Sequence, residues 1–306
     1  MACYGPIKGW LSKNLTESGK RKVVFNISQA YTDHPVKIPC GQCIGCRLDK
    51  SKQWAIRCVH EASLHENNSF ITLTYDDEHL PKNRSLEVRV FQLFMKRLRK
   101  RFGSEIRFYA CGEYGDVNGR PHYHACLFNH DFQDKKLWKP GKDRSQNLYR
   151  SASLEKLWPN GYSSIGQVTF QSAAYVARYI MKKLNGPKGG GRYTFKDPAG
   201  VSHPLLPEFT VMSRRPGIGK RWLDQYATDV YPGDFVIMSG KRNRSPRYYD
   251  TEFEKEFPDE YKKLKLERKK RAIKHAENNT SERLNVRETI QKKKLDQLER
   301  NHDSDP

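Results

Sequence analysis

The sequence predicts an α+β fold, a central and mostly antiparallel sheet with helices packed on one face. Three observations predict it. Short runs of β-branched and aromatic residues recur between residues 69 and 170, segments of helical apolar spacing alternate with them, and a turn-rich connector joins two of the runs as in a hairpin. The order strand, helix, strand, strand, strand, helix suits a ferredoxin-like split βαβ core over residues 60–190. Around that core lie an irregular cysteine-rich lobe (1–59), a Pro-rich, aromatic and basic extension (191–250) and a basic tail (251–306), helical or disordered.

Residues 1–39 show no sustained period, only short β-like pieces such as Val23 to Ile27. Arg47 to His65 carries Leu48, Trp54, Ala55, Cys58, Val59 and Ala62 at mostly helical spacing, which predicts one amphipathic helix. Ser69 to Tyr75 reads as a strand and ends in the turn signal Asp76-Asp77. Val88 to Phe102 places Val90, Phe91, Phe94, Met95 and Leu98 on one helical stripe, read as core packing. Ile106 to Glu113 and His122 to Phe128 read as an antiparallel pair, and Tyr162 to Phe170 as a further strand. Ser172 is a good capping residue for a short helix running to Leu184, after which Gly186 to Gly191 ends the core.

Composition narrows the function. Of 306 residues, 36% are hydrophobic and 30% charged, so a packed core is confined to part of the chain. The formal charge of +21 favours nucleic acid as partner, through phosphate neutralisation, over an anionic membrane surface or a merely soluble basic protein. Met1 to Leu15 has no apolar run of signal-peptide length, and no stretch of about 20 apolar residues occurs. A soluble intracellular protein with no membrane partner is therefore expected. Seven cysteines is an odd number, and the spacing Cys40-x-x-Cys43-x-x-Cys46 suits thiolate ligation in a reducing compartment better than disulfides. A tetrahedral zinc site needs a fourth ligand, Cys3 first, then Cys58 or His60. Reduced, unligated thiols are the alternative, and iron–sulfur ligation a weaker one.

Chemistry concentrates in two places. His122 and His124, at i and i+2 of a strand, project from one face, and Glu113 on the partner strand could complete a divalent-cation triad suited to Mg2+ or Mn2+ in phosphate chemistry. Histidines also pair on strand faces without a metal. Tyr175 and Tyr179 lie four apart on the later helix, with Arg178, Lys182 and Lys183 nearby; packing of the helix on the sheet would equally explain an isolated tyrosine pair. Arg214, Arg215, Lys220, Arg221 and residues 241–247, interleaved with Trp222 and Tyr226, suit a DNA path or a solvated face.

Taken together, Phe70 to Tyr75, His122-Tyr123-His124 and Tyr175 to Lys183 stand in the order of three motifs of the HUH endonuclease superfamily, and resemble its two-tyrosine rolling-circle initiators. Met1-Ala2-Cys3, Pro39 to Arg47, Arg120 to His124 and Met212 to Gly217 further resemble the replication initiators of gokushoviruses, small single-stranded-DNA microviruses of bacteria, over roughly residues 1–250. The resemblance implies an origin-specific endonuclease and ligase. It would act on single-stranded and supercoiled origin DNA in the cytoplasm of an infected bacterium, with host helicase and polymerase as partners.

Tyr175 or Tyr179 would attack the scissile phosphate, leaving a 5′-phosphotyrosine and a free 3′-OH, and the second tyrosine would release the closed circle. One departure stands out. Tyr179 has Lys182 three later, whereas Tyr175 has Arg178, so the order of the two tyrosines stays open. An HUH transposase or plasmid relaxase would share this chemistry, although the N-terminal cysteine motif argues against it. A non-catalytic, zinc-stabilised nucleic-acid-binding protein is the reading from a different class.

Overall fold

A computed structural model describes residues 3–17, 19–115, 119–179, 193–197 and 199–297, with Tyr179 described in its backbone alone. These residues form two compact units, one of residues 3–50 and 265–297, the other of residues 51–264.

In the first unit, β1 (Ile7–Leu15), β2 (Arg21–Val24) and β3 (Ala30–Ile38) form an antiparallel sheet in the order β2-β1-β3. The irregular lobe expected here is thus a sheet. Its strands are mostly solvated on both faces, so they lack the alternation by which a half-buried strand is read. α1 (Ile44–Ala62) begins within the cysteine cluster, three residues before the expected start.

The second unit is built on the strands that the sequence marks most clearly. β4 (Asn68–Tyr75), α2 (Val88–Phe102), β5 (Arg107–Tyr114) and β6 (Pro121–Phe128) follow in order. Next come β7 (Lys136–Lys139), β8 (Leu148–Arg150), α3 (Ala152–Leu157), β9 (Gly161–Gly166) and α4 (Phe170–Tyr179). Then β10 (Thr194–Lys196) pairs with β11 (Ser202–Pro204), and β12 (Phe209–Met212) returns to the main sheet. That sheet has seven strands in the order β12-β5-β6-β4-β9-β8-β7, each neighbouring pair antiparallel.

The α+β class with a large antiparallel sheet is the one the sequence predicts. The strands are buried on both sides, so helices cover both. Ile71, Leu73, Tyr123, Ala125 and Leu127 pack with Phe91, Phe94, Met95 and Leu98 of α2. Phe70, Tyr109, Cys111, Cys126 and Phe128 point the other way and pack with Ala55 and Cys58 of α1 and Ala173, Tyr175 and Val176 of α4. Successive strand residues alternate between these two cores, as the period of two requires. α4 starts two residues before Ser172, because Thr169 and Ser172 cap reciprocally: the Ser172 amide donates to Thr169 Oγ1 at 3.1 Å and the Thr169 amide to Ser172 Oγ at 2.8 Å.

The basic extension is more regular than its composition suggests. α5 (Lys220–Val230), β13 (Phe235–Met238), β14 (Lys241–Arg244) and α6 (Arg247–Glu256) pack a third core around Leu223, Tyr231, Val236, Tyr249 and Phe253. α7 (Pro258–Ile273) and α8 (Ser281–Asp296) occupy the tail, which is helical over these spans and mostly exposed. Among the described residues no helix is long and apolar enough to cross a membrane.

Candidate active site

β6 is a central strand of the sheet, with β5 on one side and β4 on the other. Its alternation puts His122 and His124 on the face covered by α4, their rings parallel within 2° and 6.3 Å apart between centroids. The register sets Glu113 of β5 directly opposite His122, and Thr74 and Thr72 of β4 opposite His122 and His124. All three candidate ligands are buried, Glu113 at 3% exposure, His124 at 4% and His122 at 8%.

Hydrogen bonds orient both imidazoles. His122 Nδ1 lies 2.6 Å from the Arg120 carbonyl, which only accepts, so Nδ1 carries the proton and the ring lone pair sits on Nε2. Arg120 is itself fixed: its guanidinium donates to the Tyr75 carbonyl at 2.8 Å and to Asp77 Oδ1 at 2.5 Å. Gly115 closes the same hairpin end, its amide donating to the Arg120 carbonyl at 2.9 Å; a Cβ at this position would lie 3.1 Å from His122 Cε1. On His124, Nε2 is 2.8 Å from Glu113 Oε1 and Nδ1 is 3.0 Å from Thr72 Oγ1, while Phe70 stacks on the ring at 5.9 Å.

This set fits a hard divalent cation. It offers two imidazoles and a carboxylate, each His held by a polar partner on its other nitrogen, as metal-ligating histidines are. The 2.8 Å between His124 Nε2 and Glu113 Oε1 is close to the separation of adjacent ligands in an octahedron with bonds of about 2.1 Å, roughly 3.0 Å.

α4 brings the tyrosine. Tyr175 lies over the His face, its ring perpendicular to His124 with centroids 5.1 Å apart and edge-on to Phe70 at 6.5 Å. Arg178, half-buried one turn on, holds its guanidinium 5.9 Å from the Tyr175 ring centre. α4 is fastened to α1 by Ser51, whose hydroxyl donates to the Ala174 carbonyl at 2.8 Å. The Tyr179 side chain, Lys182 and Lys183 lie outside the described residues.

The predicted basic path divides. Arg214 and Arg215 are exposed on a loop that follows β12, whereas Lys220 faces Asp224 and Glu256, which offset its charge. Arg221 and Tyr226 are exposed, but Trp222 stacks on His60 at 3.5 Å. The loop is held from beneath by buried charge that the sequence reading did not single out. Glu61 accepts from Arg107 Nε at 2.5 Å and from the Gly219 amide at 2.6 Å, Arg107 donates to the Pro216 carbonyl at 2.6 Å, and Arg57 to that of Ile218 at 2.9 Å. Gly219, at φ +78°, admits this close approach; a Cβ would meet the Tyr249 hydroxyl at 2.5 Å.

Cys40, Cys43 and Cys46 are joined by Cys3, within the first unit. The reserve ligands are elsewhere. Cys58 is buried beside Cys126, and burial followed by that neighbour raises its pKa well above the usual thiol value. His60 Nδ1 lies 2.9 Å from the Tyr249 hydroxyl, and burial lowers its pKa to about 4.

Thr72 and Arg120 were also missed as site residues. Both sit inside the quoted motifs, and the signal was register: a polar residue of β4 facing each histidine.

Known proteins share much of this chain. The family described under Replication-associated protein ORF2 matches residues 68–184, the span from β4 to just beyond α4. Replication-associated protein VP4 of Bdellovibrio phage phiMH2K is 34% identical over 248 residues, covering 76% of this chain and 74% of its own. Replication-associated protein ORF2 of Spiroplasma virus 4 is 35% identical over 237 residues, with 73% and 70% covered. Replication-associated protein ORF4 of Chlamydia phage 1 is 30% identical over 252 residues, with 75% and 59% covered. No solved structure matches. With this identity over some three quarters of the chain, and with the matched span carrying the histidine strand and the tyrosine helix, the protein belongs to the family of microvirus-type replication-associated proteins.

Proposed function

We propose that this protein initiates rolling-circle replication of a single-stranded-DNA phage by nicking one strand at an origin and later rejoining it. The observation that carries the reading is the packing of Tyr175 across His124, which puts a phenol over the buried His122, His124 and Glu113 set. The relatives named replication-associated proteins support the replication role, and their phage sources favour it over a transposase or relaxase.

Phosphodiester cleavage needs an in-line nucleophile, charge on the non-bridging oxygens and a stabilised leaving oxygen. Glu113, His122 and His124 would hold Mg2+ or Mn2+, which when bound supplies Lewis-acid charge to the phosphate. Tyr175 or Tyr179 supplies the nucleophile. Its phenolic oxygen bonds to phosphorus as the P–O3′ bond breaks; the phenol gives up its proton and the 3′ oxygen takes one, leaving a 5′-phosphotyrosine and a 3′-OH. One phosphodiester replaces another, so the reverse attack by the 3′-OH rejoins the strand without ATP. An ordinary phenol has a pKa near 10, and Arg178, with Lys182 and Lys183, is the cationic neighbour that would favour its ionised form. Arg214 and Arg215 would contact phosphates along the strand.

The test is a supercoiled plasmid carrying the phage origin, incubated with the protein and Mg2+ or Mn2+. A nicked product with protein bound to its 5′ end is expected, and the Tyr175→Phe/Tyr179→Phe double variant should yield neither. Linkage that survives in the double variant would reassign the nucleophile, and DNA binding without cleavage under either cation would point to a non-catalytic binding protein.

A further inference from the structure

The first unit has little to hold it together. Among its described residues the buried apolar side chains are Cys3, Ala30 and Leu284, too few for a hydrophobic core of its own. Units of this kind are commonly stapled by a disulfide or a metal.

Its cysteines are arranged for the second. Cys3, Cys40, Cys43 and Cys46 bring one sulfur each to within 4.8 Å of all the others. Cys3 Sγ lies 3.7 Å from Cys40 Sγ and 4.0 Å from Cys43 Sγ, and all four are free thiols. A disulfide would bring two sulfurs to about 2.05 Å. A tetrahedron of zinc–sulfur bonds of about 2.3 Å instead has edges of roughly 3.8 Å, which is the spacing found.

Backbone amides complete the case. The Tyr4 amide donates to Cys43 Sγ, the Cys40 amide to Cys3 Sγ and the Cys43 amide to Cys40 Sγ, each at 3.3 Å. Gly41, at φ +73°, turns the chain between Cys40 and Cys43. Amides aimed at sulfur stabilise thiolates rather than thiols, and converging thiolates repel one another unless a cation lies among them.

We propose that Cys3, Cys40, Cys43 and Cys46 form a structural four-sulfur zinc site that fastens the chain before β1, the end of β3 and the start of α1 to one another. Binding displaces the thiol protons to solvent, and the metal stays divalent. With four sulfur ligands the site is closed, so it has no open position for DNA or water and its role is folding. It is separate in ligand chemistry from the nitrogen and oxygen set of Glu113, His122 and His124.

The test uses the full-length protein and does not depend on nicking. Purified under reducing conditions, it should carry one zinc per chain, with X-ray absorption showing sulfur alone in the first shell. Cobalt exchanged for zinc should give the sulfur-to-metal charge-transfer bands of a tetrahedral thiolate site. The His122→Ala/His124→Ala variant should keep that zinc, and Cys43→Ser/Cys46→Ser should lose it. Should the cysteine variant fail to fold, the zinc content and cobalt spectrum of the unmodified chain still decide. Less than a tenth of an equivalent after reconstitution, nitrogen or oxygen in the first shell, iron with inorganic sulfide, or zinc retained by the cysteine variant would each overturn the assignment.

Discussion

Tyr175 stands edge-on to His124 at 5.1 Å, one residue from a central strand and the other from a helix some 50 positions later in the chain. The contact makes the two residues separable by substitution. Tyr175→Phe keeps the ring that packs on His124 and Phe70 and removes only the hydroxyl. Its thermal midpoint should stay within the shift of about 1 kcal/mol typical of such a change, while covalent attachment through this position disappears. Mapping the DNA-linked peptide by mass spectrometry checks it, since a Tyr175-linked peptide should be present before the substitution and absent after.

Thr72 acts on the site through His124. Thr72→Val keeps the shape and removes the hydroxyl 3.0 Å from Nδ1, so the divalent cation giving half-maximal nicking should rise about 10-fold or more. Thr72→Ser should restore most of it. Equal cation dependence in all three proteins would show that Thr72 does not orient the imidazole.

Gly115→Ala presses a methyl group to 3.1 Å from His122 Cε1, at a hairpin end already tied down by Arg120. The ring must give by a few tenths of an ångström. Nicking should fall roughly tenfold at limiting cation and recover at saturating cation, with little change in the thermal midpoint.

Glu61 is fully buried and serves Arg107 and the Gly219 amide together. Glu61→Ala leaves the Arg107 charge unpaired, and loss of one partner of a buried pair costs about 3–5 kcal/mol. Urea unfolding should show a lower midpoint, and affinity for single-stranded DNA should fall because the Arg214–Arg215 loop loses its anchor.

His60 predicts an acid limb of the stability profile. Burial lowers its pKa from 6.5 to about 4, so between those values the unfolded chain binds more protons than the folded one. Stability is then greatest above about pH 6.5 and is lost as pH falls towards 4, by roughly 3 kcal/mol from this group. His60→Phe keeps an aromatic ring against Trp222 and should flatten this component; an unchanged slope between pH 4 and 6.5 would assign the loss to other groups.

Legibility followed burial. α2 ends where the periodicity predicts, because its apolar stripe faces one core and Gly103, at φ +110°, stops it. The β5–β6 hairpin and the shared face of His122 and His124 follow from a period of two and a turn-rich connector. β1 to β3 were invisible because their residues are mostly solvated on both sides and carry no alternating signal. Trp222 was read as a surface for stacking bases, but a neighbour far away in sequence, His60, occupies its face.

The sequence by itself determined the periodic elements, the charge that favours a polyanion, and the residue types able to hold a cation and attack a phosphate. These are local properties, set by spacing along one strand or one helix. Tertiary structure decided which of them meet. Cross-strand register put Glu113 and Thr72 on the two histidines, helix-on-sheet packing laid Tyr175 over His124, and chain reversal brought Cys3 to three cysteines nearly forty residues away. Such contacts arise from burying both faces of a sheet and closing long loops, and no window of the sequence contains both partners.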